Sequence, residues 1–153
     1  MDLRTGAFPR RRAVALAIAA TLAAGQAGAA TINVTSLLDG PATTDTVCTL
    51  REALESLATG AAAFGCAATG AFGTTDTVTF GVTGTIALDP VQGSLDVVSD
   101  STITGPGAAQ LTLSGGGNVP VVYVTNATAA ISGVTIANGR GGKGAGGVTA
   151  IGA

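Results

Sequence analysis

The second half of this chain consists of short apolar runs that repeatedly end in Gly, Asp or Asn. From Thr75 onward the runs read TVTF, TIALD, LDVVSD, STITGPG, LTLSGGG, VVYVTN and ISGVTIANG. Short runs rich in β-branched residues and bounded by turn residues are typical of β-strands. The sequence therefore predicts an all-β region made of many short strands.

Two comparisons within this region indicate a repeat. LTLSG at residues 111–115 recurs as VTIANG from Val134, an offset of 23, and STITG at 101–105 resembles VVYVT at 121–125, an offset of 20. Repeats of about 20–25 residues predict a solenoid, in which each turn buries its apolar face on the next. A small antiparallel sandwich with hairpins every ~8–12 residues is the alternative, because the strand spacing alone does not separate the two.

The residue types available for a core favour the solenoid. The chain has no Trp, one Tyr and four Phe, so its interior must be filled by Val, Ile, Leu and Ala. The triplets Thr77/Thr79 and Thr102/Thr104 are interpreted as ordinary β-branched strand residues. We expect no regular threonine ladder, because these triplets do not repeat at a fixed register in the sequence.

The first thirty residues have the pattern of a secretory signal peptide. A basic segment precedes the apolar run 13–24, and the small-residue stretch AGQAGAA follows it. The run is too short to span a bilayer, so we expect residues 1–30 to be a leader cleaved after Ala29 or Ala30. A short N-terminal membrane anchor is the alternative. The general secretion route is favoured over the twin-arginine route, because the residues after the RRR cluster lack the rest of that motif.

Removal of this leader leaves an acidic chain of about 123 residues, enough for one domain. Four of the seven basic residues and one of the nine acidic residues lie in the leader, so three basic residues remain against eight acidic ones, a net charge of −5. Arg140 and Lys143 lie in a Gly-rich tail and form no basic patch. This charge pattern excludes nucleic acid as a partner.

Residues 48–54, CTLREAL, are the strongest helix signal in the chain. Thr49 and Glu52 have the spacing of a capping box, and Gly60 ends the helical pattern. The sequence predicts a helix over 49–59, after a first strand at 31–36. We expect Arg51 to pair with Glu55 on the solvent side. The apolar face turned to the core is predicted to contain Leu50, Ala53, Leu54 and Leu57.

Cys48 and Cys66 are the two cysteines of the chain. In an oxidising compartment we expect them to form a disulfide that fastens the Gly/Ala loop 61–73 to the helix start. Closing a loop of roughly twenty residues is worth about 3 kcal/mol on a chain-entropy argument. Two free buried thiols are the alternative. A zinc site would need more ligands, and the chain has no His.

CTLREAL, followed by GCAATG and TDTVTF, resembles the motif of the bacterial CSLREA family of exported proteins, with Thr49 in place of its Ser. In that family the module precedes a right-handed parallel β-helix of the pectin-lyase-like fold, similar to polymorphic outer-membrane proteins. Over about residues 31–148, the resemblance implies a cap module at 31–74 and about three β-helix rungs at 75–153. It also implies further rungs after Ala153, so that the chain is a fragment.

The resemblance gives the helix a structural role. The end of a β-helix exposes its apolar core and unpaired strand edges, and an amphipathic helix across the first rung covers both. We therefore expect Thr49 and Glu52 to cap a lid rather than to line a site. An uncovered last rung would make the isolated chain marginally stable and prone to self-association.

Pectin-lyase-like folds include polysaccharide lyases and glycoside hydrolases, so acidic residues of this chain are candidate site residues. A lyase needs carboxylates that hold calcium and a basic residue. Asp96 and Asp100 would stand ~13 Å apart along a strand, beyond the ~5–9.5 Å of paired glycosidase carboxylates. Aspartates at the ends of runs are usually turn residues. The candidates for catalysis are Asp76, Asp89, Asp96 and Asp100 with Arg140 or Lys143; for calcium without catalysis they are Asp39, Asp45 and Asp76.

The sequence as a whole predicts an exported, non-enzymatic, adhesin-like β-helix protein, secreted or at the cell surface, with no cofactor. Extracellular glycans or a host cell surface are the expected partners. The alternative is the N-terminal part of a polysaccharide lyase or glycoside hydrolase whose catalytic rungs lie elsewhere. A third reading is a truncated gene product without a function of its own.

Overall fold

A computed structural model describes residues 28–141, in which the protein is mainly β with one short helix. The leader prediction for residues 1–27 and the tail 142–153 with Lys143 lie outside the described residues. The elements are β1 (Thr31–Val34), α1 (Leu50–Thr59), β2 (Ala68–Thr69), β3 (Asp76–Phe80), β4 (Gly84–Ala87), β5 (Leu95–Val97), β6 (Ser101–Thr104), β7 (Leu111–Ser114), β8 (Val122–Val124), β9 (Ala129–Ser132) and β10 (Thr135–Ala137).

From β3 onward the strands enter three separate sheets in turn. The first sheet has the order β2-β1-β3-β6-β9, the second β10-β7-β4 and the third β5-β8. All pairings are parallel except that of β1 with β2. From β3 onward, paired residues lie from 23 positions apart, as in Thr112 and Thr135, to 28 apart, as in Ser101 and Ala129. The chain therefore contributes one strand to each of the three sheets in roughly 25 residues.

One of the two predicted repeats is confirmed and the other is wrong. Thr112 pairs with Thr135, which is the predicted offset of 23. The predicted offset of 20 fails, because β6 pairs with β9 and β8 pairs with β5. Residues 101–105 and 121–125 look alike because both alternate apolar and polar residues. This alternation does not determine which sheet a strand joins. Among residues 75–141 no hairpin of the sandwich type occurs.

The core consists of aliphatic side chains that lie one above another on neighbouring strands. In the first sheet Ile32, Val78, Ile103 and Ile131 are aligned, and the first three are at most 1% exposed. Buried and more exposed residues alternate along strands such as β1, β5 and β6, as the period of a β-strand requires. Burying one such side chain stabilises the fold by roughly 1.5–3 kcal/mol relative to its exposure. The aligned columns therefore supply much of the cohesion of this chain.

Glycine is required at the corner where β6 and β9 end. Gly105 follows β6 and Gly133 follows β9, and a Cβ atom added to either would overlap the other's backbone carbonyl. Gly133 also has φ +65°, in the left-handed region. The Gly105 N–H donates to the Ser132 carbonyl at 2.8 Å. Two neighbouring turns of the chain thus meet backbone to backbone at this corner.

The threonine triplets do have a fixed register, so the prediction that they lack one is wrong. Thr77 pairs with Thr102 and Thr79 with Thr104 on the outward positions of β3 and β6. Thr85, Thr112 and Thr135 are aligned in the same way across the second sheet. Loops of unequal length between the strands hide this alignment in the sequence. Both sheets therefore carry columns of hydroxyl side chains.

Candidate functional site

The helix and the loops around it contain the most specific side-chain bonding in the described chain. α1 has Thr49 as its N-cap and Gly60, with φ 66°, as its C-cap, so the helix begins one residue later than predicted and ends at Thr59 as predicted. The helix packs against β1, β3 and β5. Its predicted apolar face, Leu50, Ala53, Leu54 and Leu57, is buried. We name this region the helix junction; it comprises Asp39, Cys48, Thr49, Arg51, Glu52 and Cys66.

The predicted capping box is present and extends further than expected. The Glu52 N–H donates to Thr49 Oγ1 at 3.2 Å, and the Thr49 N–H donates to Glu52 Oε2 at 2.9 Å. Glu52 Oε1 also accepts a hydrogen bond from the Thr43 N–H at 3.0 Å. These donors and the positive end of the helix dipole stabilise a carboxylate that is only 2% exposed. Glu52 thereby fixes the preceding loop as well as the helix start.

The predicted disulfide joins Cys48 to Cys66, with Cα atoms 4.6 Å apart. Both residues are buried. The Cys48 backbone is bonded as well, because its carbonyl accepts from Thr35 N at 2.9 Å and from Ser36 N at 3.2 Å. The Cys48 N–H donates to Thr35 Oγ1 at 2.9 Å. Cys48 thus connects the end of β1, the start of α1 and the loop that contains Cys66.

Arg51 does not pair with Glu55 as predicted. Its Nε and Nη2 atoms each donate at 2.9 Å to an oxygen of Asp39, and its guanidinium also donates to the carbonyls of Gly93 and Ser94. The Asp39 side chain is 1% exposed, and that of Arg51 is 17% exposed. The planar guanidinium fork makes this two-point contact and still reaches the carbonyls. Glu55 lies on the exposed face of α1.

The structure does not gather the acidic candidates into one site. Among residues 28–141 no group of three or more His, Cys, Asp or Glu residues could hold a metal ion. Each predicted aspartate instead accepts a hydrogen bond that fixes a nearby turn or loop. The donors are Ala30 N and Gly73 N for Asp76, Val91 N for Asp89, Ser94 Oγ for Asp96, Thr128 N for Asp100, Asp89 N and Arg51 for Asp39, and Val47 N and Thr43 Oγ1 for Asp45.

Among residues 28–141, Arg140 forms no ion pair with any of these carboxylates. The Arg140 N–H donates to the Val119 carbonyl at 2.9 Å, and Lys143 lies outside the described residues. The sequence offers Asp39 as a calcium ligand, and its pairing with Arg51 is what sequence reasoning missed. Nothing local in the sequence pairs Asp39 with Arg51, twelve residues away.

A groove of about 340 Å³ lies beside β1, between the first strand and the loop that contains Cys66. Its wall carries hydroxyl and amide groups and no ionisable side chain. Such a surface offers hydrogen bonds to a neutral polar ligand and provides no acid, base or nucleophile. The lining residues are Thr31, Asn33, Thr35, Thr46, Cys48, Gly65, Ala67 and Thr69.

The residues from 28 to 141 form no helix with the length and apolar character needed to cross a membrane. Comparison with known proteins found no matching family model, curated protein or solved structure.

Proposed function

We propose that the chain is an exported, non-enzymatic protein whose strands form a right-handed parallel β-helix, and that it presents an extended surface to extracellular glycans or to a cell surface. The helix junction would act as the N-terminal cap of that β-helix. The resemblance of CTLREAL and the following segments to the CSLREA family is part of this proposal.

The strand order supports the β-helix. Parallel strands enter three sheets in turn, and each residue of a strand is aligned with its counterpart about 25 residues later. Stacking of repeated turns produces such an arrangement. The position of α1 against β1, β3 and β5 supports its role as a cap over the first turn.

One observation supports the surface role: most carboxylates are hydrogen-bonded within the protein, whereas threonine hydroxyl groups lie on its outer faces. Seven of the eight described carboxylates, all except Glu55, accept hydrogen bonds within the protein. The outward positions of the first two sheets include aligned threonines, such as Thr77 with Thr102 and Thr85 with Thr112. Neutral hydroxyl columns offer repeated hydrogen-bond donors and acceptors. A polymer of neutral sugars presents the complementary groups at regular intervals.

The test is made on the full chain expressed with its own leader in a Gram-negative bacterium. Protein recovered from the envelope or medium is applied to immobilised neutral and acidic polysaccharides and to whole cells. It is also assayed for new reducing ends and for unsaturated uronides. We expect retention on at least one neutral polysaccharide and no bond cleavage.

Matched variants locate the surface. Thr79→Lys with Thr104→Lys alters the outer face of the first sheet, and Thr85→Lys with Thr112→Lys alters that of the second. We expect one pair to abolish retention and the other to preserve it. Retention lost equally in both pairs, or cleavage of any polysaccharide, would contradict the proposal.

A further inference from the structure

Burial changes abruptly at Ala30. Gly28 and Ala29 are exposed, whereas Ala30 is fully buried. The Ala30 carbonyl accepts a hydrogen bond from Thr77 N at 2.7 Å, and the Ala30 nitrogen donates to Asp76 Oδ1 at 2.8 Å. The packed part of the described chain therefore begins at the nitrogen of Ala30.

Asp76 is a buried carboxylate that no described basic side chain neutralises. It is 4% exposed, and its second donor is the Gly73 N–H at 3.0 Å. The ion pair found among residues 28–141 joins Arg51 to Asp39. A buried carboxylate is costly unless a cation or several hydrogen bonds compensate for its lost hydration. The Glu52 carboxylate is also buried, but the N-terminus of α1 compensates for its lost hydration.

The sequence immediately before Ala30 fits a processing site. Ala27-Gly28-Ala29 has the small residues that an export-pathway signal peptidase requires on the leader side of the scissile bond. Cleavage after Ala30 would instead remove both the donor to Asp76 and the acceptor of Thr77 N. The two cleavage positions that the sequence leaves open therefore have very different structural consequences.

We infer that the leader is removed at the Ala29–Ala30 bond and that the new α-ammonium group of Ala30 forms a buried ion pair with Asp76. This inference rests on the proposed export. In the step, the amide C–N bond breaks and one water molecule is consumed. The oxygen of that water joins the new Ala29 carboxylate, and the released Ala30 amine ends with three protons. An α-ammonium is the usual form of an amino terminus at neutral pH.

The ion pair makes correct processing part of folding. The scissile bond adjoins a fully buried residue, so a peptidase reaches it only before β1 has docked on β3. The charge created by cleavage then strengthens this docking, because Ala30 immediately precedes β1 and Asp76 begins β3. An unprocessed chain makes the same contact with a neutral amide, which is a weaker partner for a buried carboxylate.

The first test is the N-terminal sequence and intact mass of the full chain after expression with its own leader in a bacterium. We expect Ala30 as the first residue. A chain that begins at Thr31 or elsewhere would overturn the inference and leave the export proposal intact. A chain that retains its leader would overturn the export proposal and this inference with it.

The second test measures the ion pair through amine reactivity in the processed protein. That protein has two kinds of amine, the α-amine of Ala30 and the ε-amine of Lys143, the chain's single lysine. Limited acetylation is followed by mass spectrometry, with Lys143 as internal reference. We expect the α-amine to be labelled roughly tenfold more slowly in folded wild type than in Asp76→Asn, because an α-ammonium bound to a buried carboxylate is rarely available to the reagent. Asp100→Asn, which removes the carboxylate bonded to Thr128 N, should leave this rate unchanged.

A comparison of folded and urea-unfolded wild type serves if Asp76→Asn does not fold. Slow labelling confined to the folded state supports the ion pair. An α-amine labelled equally fast in folded and unfolded wild type would overturn it. Equal protection of this amine in a folded Asp76→Asn protein would show burial without the ion pair and would overturn it as well.

Discussion

The helix junction and the strands after Thr75 are held together by different means. The junction relies on individual side-chain bonds, namely the Cys48–Cys66 disulfide, the Thr49–Glu52 capping box and the Arg51–Asp39 ion pair. The strands rely on parallel backbone pairing, aligned aliphatic columns and close glycine corners. Each contact of the helix junction occurs once, whereas the strands after Thr75 repeat the same kinds of contact from one turn of the chain to the next.

The two regions are stabilised differently because only the strands lie beside segments of similar structure. A strand in a stack is placed by the strand beneath it, so repeated small residues are sufficient. The helix junction contains no such repeat among residues 28–141, so its loops are fixed by contacts that occur once. We therefore expect substitutions in the junction to act through charge and covalent bonding, and substitutions in the strands to act through volume.

The largest expected effect is the loss of the Arg51 guanidinium. Arg51→Met leaves the buried Asp39 carboxylate without its cation, and breaking such a pair costs about 3–5 kcal/mol. Glu55→Gln, on the exposed face of the same helix, should change the free energy of unfolding by less than about 0.5 kcal/mol. Urea unfolding of both variants checks this. Similar values for the two would mean that the ion pair does not stabilise the junction.

Removal of the disulfide is next in size. The double variant Cys48→Ala/Cys66→Ala should lose about 3 kcal/mol, because the unfolded chain regains the freedom of a loop with a separation of 18 residues. Wild type unfolded in the presence of a reductant is the control and should match the double variant. A reduced protein as stable as the oxidised one would rule out this contribution.

The strand region is tested by adding volume at its tightest corner. Gly105→Ala places a methyl group against the Gly133 carbonyl, and overpacking of this kind costs about 1–3 kcal/mol. Gly40→Ala is the matched control, because a Cβ atom there has nothing within 4 Å. Thermal unfolding followed by circular dichroism compares the two. Equal melting temperatures would contradict the close approach of the two turns.

The capping box provides a smaller test of the junction. Thr49→Ala removes the side-chain acceptor of the Glu52 N–H and should cost about 1 kcal/mol, as other N-cap losses do. Thr59→Ala, at the exposed C-terminal end of α1, should cost about 0.5 kcal/mol or less. The two variants are compared by urea unfolding. A larger loss for Thr59→Ala would contradict the assignment of Thr49 as the cap.

Two buried serines, one in a strand and one in the helix junction's helix, test the comparison with the smallest expected changes in stability. Ser101 Oγ, in β6, has no hydrogen-bond partner among the described residues, so Ser101→Ala should leave stability unchanged or raise it by up to about 1 kcal/mol. Ser56 Oγ, in α1, donates to the Glu52 carbonyl and accepts from Ala63 N, so Ser56→Ala should cost about 1 kcal/mol. A loss at Ser101 equal to that at Ser56 would show that the Ser101 hydroxyl is satisfied.

Local features of the chain were determined by the sequence. The helix bounds, the Thr49–Glu52 capping box and the buried face of α1 follow from spacings of three and four residues, which act within one helix. The short strands follow from alternation over a few residues. The Cys48–Cys66 pairing was also predictable, because the chain has only two cysteines.

Long-range partners were decided only by the tertiary structure. Arg51 has Glu55 one helical turn away, yet it binds Asp39 and two carbonyls of the loop before β5, because together these offer more acceptors in a place with little water. The alignment of the threonine triplets and the partner of β8 depend on loop lengths that no periodic pattern records. The contact of Ala30 with Asp76 joins residues 46 positions apart. Such contacts form only when the strands stack, so the residues alone did not reveal them.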